Sequence, residues 1–196
     1  MENLSGNQSL INRLKNIIRS TDWLYEALYE VKAIHLSGGC IGAGAIRNAV
    51  WDSLHGYDNP SFLSDIDVAY FDPSDITDER DKEIQALLSE RLPNLNWEVT
   101  NQAGVHIWFE KYFGHSVEPL TSIEDAIASW PETATSIAAF LDENDNINII
   151  APFGLQDLFD MVIRRNTRRV SIETYRERIH KKKYNERWPK VKIISE

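Results

Sequence analysis

A chain of 196 residues is long enough to bury one sizeable core, and its 42% hydrophobic and 26% charged residues exclude a disordered or fibrous protein. The formal net charge of −9 argues against a general nucleic-acid binder, because neutralising phosphates needs clustered Lys and Arg. One cysteine, Cys40, excludes an intrachain disulfide and a Cys/His metal site. The first 20 residues, broken by Glu2, Arg13, Lys15 and Arg19, read as neither signal peptide nor membrane span, so a cytoplasmic protein without membrane association is expected.

Leu10, Ile11, Leu14, Ile17 and Ile18 recur at helical spacing. Ser20-Thr21-Asp22 then offers an N-cap to a second helix carrying Trp23, Leu24, Ala27, Leu28 and Val31, which predicts a helical pair over about residues 8–32. After Gly38 and Gly39 a short strand is predicted at 40–43. A helix follows from Gly44 through Ala45, Ile46, Ala49, Val50 and Leu54 to a glycine stop at Gly56. Ile66, Val68 and Tyr70 alternate with Asp65, Asp67 and Ala69 as a strand, ended by Pro73-Ser74-Asp75. Thr77 or Asp78 caps the next helix, with Ile84, Leu87, Leu88 and Leu92 on its face, and residues 97–100 alternate as another strand.

Residues 102–113 read as helix or irregular chain, and Ser122 opens a short helix with a Ser-x-x-Asp start. Residues 134–141 and 147–150 flank Asp142-Glu143-Asn144-Asp145-Asn146, the composition of a hairpin loop. Leu155, Leu158, Phe159 and Val162 predict an amphipathic helix over 154–163, and residues 171–184 a basic one. The expected architecture is α+β, a small mixed or antiparallel sheet flanked by helices. All 196 residues form one domain, with the helices of about 8–32 and 154–184 packed on its core.

Residues two apart on a strand share a face, so Asp65 and Asp67 present both carboxylates on one side. Such a pair repels, and one member protonates at neutral pH unless a cation lies between them. Carboxylates on a rigid strand suit Mg²⁺, which takes one or two of them with phosphate oxygens and water. An isolated Asp-x-Asp is commonly only a solvent-facing decoration. The small-residue turn Gly42-Ala43-Gly44 ahead of a helix shifts that reading, because its backbone can approach a phosphate. Tight helix packing is the alternative for those glycines. Glu98, on the following strand, faces the same side if Trp97 and Val99 face the core, and three carboxylates can hold two metal ions about 3.5–4 Å apart for in-line attack on phosphorus.

Residues 42–52 (GAGAIRNAVWD), 64–68 (SDIDV), 97–103 (WEVTNQA), 130–135 (WPETAT) and 151–158 (APFGLQDL) together resemble a group of small bacterial nucleotidyltransferase-like proteins of the polymerase-β-type nucleotidyltransferase superfamily. The resemblance implies Asp65, Asp67 and Glu98 as catalytic metal ligands, with two Mg²⁺ ions, or Mn²⁺ in their place. Gly42, Gly44 and Arg47 would bind the nucleotide, a nucleoside triphosphate whose monophosphate moves to an unidentified acceptor as pyrophosphate leaves. Where superfamily members usually carry Gly-Ser this chain has Ala43-Gly44, so backbone N–H groups and Arg47 would replace the missing hydroxyl. A catalytically inactive nucleotide-binding or interaction module on the same fold is the alternative.

Arg47 can reach a phosphate or pair with Asp52, the commoner outcome on a helix surface. Trp51 and Trp97 belong by their neighbours to the core, and His35, His55, His106 and His115 lack metal spacing. Asn101 and Gln102 can read a base or sugar, or cap the chain locally. Residues 130–135 read as a rigid turn, with Glu132, Thr133 and Thr135 lining the pocket as the alternative, and the basic stretch 164–183 as a solvated face or a polyanion site.

Overall fold

The computed structural model describes residues 2–195. Helices α1 (Glu2–Ser20) and α2 (Asp22–Ala33) precede strand β1 (Cys40–Gly42), helix α3 (Gly44–His55) and strand β2 (Ile66–Tyr70). Helix α4 (Asp78–Arg91) leads to β3 (Trp97–Asn101), a single 3₁₀ turn (Gln102–Gly104), α5 (Val105–Phe113) and α6 (Ile123–Ile127). The hairpin β4 (Ala138–Leu141) and β5 (Ile147–Ile150) is followed by α7 (Gln156–Phe159), β6 (Val162–Ile163), α8 (Ile172–Lys182), α9 (Tyr184–Arg187) and β7 (Lys192–Ile193).

Among the described residues the larger sheet runs in the order β3-β2-β1-β4-β5. Its pairs are antiparallel except β2 with β3, which run parallel because α4 carries the chain back between them. The fold is therefore mixed α+β. Alternation divides the sheet into two faces. Ile41, Ile66, Val68, Tyr70, Trp97, Val99 and Ala139 point into the main core, where Leu14, Ile18, Leu24, Leu28, Val50 and Leu88 from α1 to α4 meet them. On the opposite face the small residues Cys40, Ala69 and Ala138 are buried under Ile123 and Ile127 at α6, with Trp130, Phe140 and Ile150 packed partly buried against them. Large apolar side chains close one face, while the other keeps room for a cleft beside the small ones.

Local chemistry explains three of the element ends. Gly56 takes φ +67° behind α3, the left-handed cap that a glycine adopts without a Cβ penalty. Ser122 and Ser171 accept N–H bonds from Asp125 and Thr174, which fixes the starts of α6 and α8.

Two predicted elements differ. The helix expected over 154–163 lasts one turn, because Met161 enters the left-handed region at φ +55° and Val162 and Ile163 then pair with Lys192 and Ile193. The strand expected from residue 134 begins at Ala138. Before it, the N–H groups of Thr135 and Ser136 both donate to the Glu132 carbonyl and wind the chain into a turn.

Candidate active site

Parallel register places Asp67 directly opposite Glu98, and Asp65 lies two residues before Asp67 on the same face. One oxygen from each of Asp65, Asp67 and Glu98 falls within 4.8 Å of the others, a spacing that fits a divalent cation with hard oxygen ligands. The three acids meet as the sequence predicts. Burial, helped by the charges of Asp65 and Glu98, lifts the Asp67 carboxyl from an ordinary 3.8 to about 6, against the pull of Lys182 and a hydrogen bond from the Gly44 backbone. Burial and Asp65 likewise raise Glu98. Carboxyls raised by burial and by one another favour a bound cation.

These acids open onto a cleft of about 600 Å³, also lined by Ala43, Gly44, Arg47, Gln102, Trp130 and the cationic Arg178, Lys181, Lys182 and Arg187. Arg178, Lys181 and Lys182 share one side of α8 through their i, i+3 and i, i+4 spacing, so the helix forms a basic wall over an acidic floor. Burial and the neighbouring Arg178 and Arg47 push the Lys182 ammonium below its usual range. Crowded cations beside crowded carboxylates suit a ligand that is itself anionic and metal-bound, and a triphosphate has that chemistry.

The turn before α3 is strained. Ala43 sits at φ +48°, ψ −113°, outside the regions favoured by L residues, at a cost of about 1–3 kcal/mol. The bend brings Gly44 against the acids: a Cβ there would lie 3.7 Å from Arg47 Nη2 and 3.9 Å from Asp67 Oδ2. Gly42, expected to contact the phosphates, is not among the residues that line the cleft. A Cβ on it would come within 2.3 Å of Trp130 Cη2, so the bare Cα seats that ring, and the cleft lining starts at Ala43.

Arg47 makes no pair with Asp52. Its guanidinium lies 5.0 Å from the Tyr184 ring centre and 5.7 Å from those of Trp51 and Trp188, and it donates to Asn48 Oδ1 through Nε and Nη2. Asp52 instead accepts from Ser61 and from the Trp188 indole, 136 residues away in sequence. Trp51 and Trp97 are core, as predicted. His55 bonds Trp51 O and the Lys190 amide. Asn101 is a local clamp, accepting from the Asp72 and Ala103 amides and donating to the Asp72 and Asp75 carbonyls, whereas Gln102 reaches the cleft.

Glu132, read as part of a turn, is fully buried and accepts from Arg178, Thr135 and Tyr184. Burial alone would raise its carboxyl, but the Arg178 charge and hydrogen bonds, with Thr135 and the nearby Arg47 charge, hold it below 4.5. Its only sequence signal is an acid after Pro131 in an otherwise unexplained stretch.

A family model described as nucleotidyltransferase matches residues 29–193. Comparison with curated proteins yields no match. Among solved structures, one described as a CCA-adding enzyme head domain is 25% identical, superposes with a TM-score of 0.80, and is matched over 94% of this chain and 96% of its own. A CCA-adding enzyme in complex with CTP is 14% identical (TM-score 0.55; 92% of this chain, 43% of that one). The Thermotoga maritima CCA-adding enzyme complexed with tRNA is 15% identical (TM-score 0.52; 89% and 40%), so the chain spans about two fifths of these longer proteins. The chain belongs to the nucleotidyltransferase family, enzymes of the polymerase-β-type superfamily that transfer a nucleoside monophosphate from a nucleoside triphosphate.

The comparisons also correct the expectation that net charge disfavours nucleic acid. Relatives in this fold are tRNA-processing enzymes, and one is solved with tRNA. A charge of −9 averages over the whole surface, whereas a phosphate meets only a local one such as the α8 wall. Among the described residues no helix is long and apolar enough to cross a membrane.

Proposed function

We propose that the protein is a Mg²⁺-dependent nucleotidyltransferase in which Asp65, Asp67 and Glu98 hold the metal, with room in the donor set for two ions. The convergence of those oxygens within 4.8 Å beneath a basic helix supports this reading. Bound Mg²⁺ would polarise the α-phosphate and lower the pKa of the attacking hydroxyl.

The chain's own groups do the rest. Arg47, Arg178, Lys181 and Lys182 bind and orient the triphosphate, and neutralise charge that builds on the leaving pyrophosphate. The Gly44 N–H at the start of α3 donates to Asp67 and so holds the turn against the acids. The acceptor oxygen forms a bond to the α-phosphorus as the bond to pyrophosphate breaks. The Glu98 oxygen not engaged by the metal would take the hydroxyl proton. By analogy with the tRNA-processing relatives, the acceptor hydroxyl belongs to a nucleotide.

Incubation with each nucleoside triphosphate, Mg²⁺ and a pool of candidate acceptors tests the proposal through released pyrophosphate. Release that disappears in Asp65→Asn and Asp67→Asn supports it. Release that survives both substitutions removes the acids from the chemistry.

A further inference from the structure

A second hollow of about 240 Å³ opens beside the cleft and shares Glu98, Thr100, Gln102, Trp130, Pro131 and Arg178 with it. Its private walls are Trp108, Phe109 and Phe113 of α5, and Arg169 from the loop before α8. Whole-ligand pockets run to roughly 300–1,000 Å³, so this one suits a single ring of a ligand whose remainder lies in the main cleft.

Two observations say what that ring is. Trp108, Phe109 and Phe113 form a continuous aromatic surface, with the Phe109 and Phe113 centres 4.4 Å apart and those of Trp108 and Phe109 6.3 Å apart, a platform for a flat π system. The Arg169 guanidinium sits over Phe109 at 5.8 Å, and its Nη1 is sealed from solvent without a hydrogen-bond partner among the described residues, while Nη2 donates to the Glu118 carbonyl. A buried donor left unpaired costs about 1–3 kcal/mol, and a turn of the Arg169 side chain into the hollow that it lines would let a ligand carbonyl recover it.

The position in the site decides which substrate owns the ring. Of the cations that suit a triphosphate, Arg47, Lys181, Lys182 and Arg187 line the cleft alone and only Arg178 borders the hollow as well, whereas Glu98, the proton acceptor, lies at the boundary of the two. We infer that the hollow walled by Trp108, Phe109, Phe113 and Arg169 is the acceptor subsite, and that it takes a carbonyl-bearing nucleobase whose sugar hydroxyl then reaches Glu98. The inference rests on the nucleotidyltransferase reading for the word acceptor, but the base-binding site itself stands without it.

Uridine is the direct probe, because it carries the ring and carbonyls without any phosphate. The full chain is labelled with 5-fluorotryptophan, the Trp108 and Trp130 resonances are assigned by Trp108→Phe and Trp130→Phe, and uridine is titrated with and without saturating ATP and Ca²⁺. Saturable shifts of Trp108 and Trp130 that persist with ATP bound, and an affinity that falls roughly 10-fold in Arg169→Met while ATP affinity holds, are expected. If Arg169→Met does not fold, Trp108→Ala gives the same readout through Trp130. No shift of either resonance, or displacement of uridine by ATP, overturns the acceptor assignment; displacement would make the hollow the base site of the donor. Failure of ATP to bind, with uridine still shifting Trp108, sinks the transferase reading and leaves a nucleobase site. A parallel titration with single-stranded oligouridylate separates a free nucleoside from an RNA end: tighter binding of the oligomer identifies the latter.

Discussion

Arg178 donates from Nε to the buried Glu132 carboxylate at 2.8 Å, and by that bond the last long helix is fastened to the segment that enters the central hairpin. The same arginine lines the cleft, so one ion pair sets both where α8 packs and where its cations lie.

Breaking the pair should be costly. Glu132→Gln leaves Arg178 without its counter-ion, and we expect a loss of about 2–3 kcal/mol, below the 3–5 of a fully buried pair because Arg178 keeps 32% of its side chain exposed. The depressed carboxyl also fixes a sign. Its stabilisation is complete above 4.5 and is lost as pH falls through the lower folded-state value, so wild type should lose urea stability in acid more steeply than Glu132→Gln.

Asp67 should behave oppositely. Its carboxyl is raised to about 6, so in the metal-free protein its contribution is present below 3.8 and lost as pH rises through 6. Metal ligation needs the ionised form, and Mg²⁺ affinity should weaken by about tenfold per unit below pH 6. Calorimetric titration from pH 5 to 8 checks the second effect, and thermal melts in chelator check the first.

Asp65→Asn and Asp67→Asn are expected to lower turnover by at least ~100-fold, the scale of losing one preorganised charge-stabilising group. Both should raise the melting temperature in chelator, since each removes repulsion within the triad. Unchanged or lower melting temperatures would contradict the electrostatic picture of this site.

Gly42→Ala drives a methyl to within 2.3 Å of the Trp130 ring, and we expect roughly 1–3 kcal/mol of destabilisation with a changed tryptophan emission. Gly44→Ala meets nothing nearer than 3.7 Å and should fold normally. Equal behaviour of the two variants would mean that Trp130 has another seat.

Much of this was legible in local pattern. Helical and alternating periods placed α1 to α4 and β1 to β3, and strand parity put Asp65, Asp67 and Glu98 on one face. What escaped depends on partners distant in the chain. Val162 looked like the end of a helix because its strand partner lies 30 residues on, at Lys192. Asp52 looked available to Arg47 because Trp188, which claims it, follows by 136 residues. Glu132 had no visible role until α8 folded back over it. Gly42 and Gly44 read alike in sequence, and only the position of Trp130 separates them.

The parallel pairing of β2 with β3 carries one more consequence. A strand slipped by one residue would turn Glu98 into the core and Val99 out to water, scattering the three acids. Correct alignment is thus the condition for ion capture, and a bound divalent ion, by favouring only the aligned chain, would act as a proofreader of the enzyme's own folding.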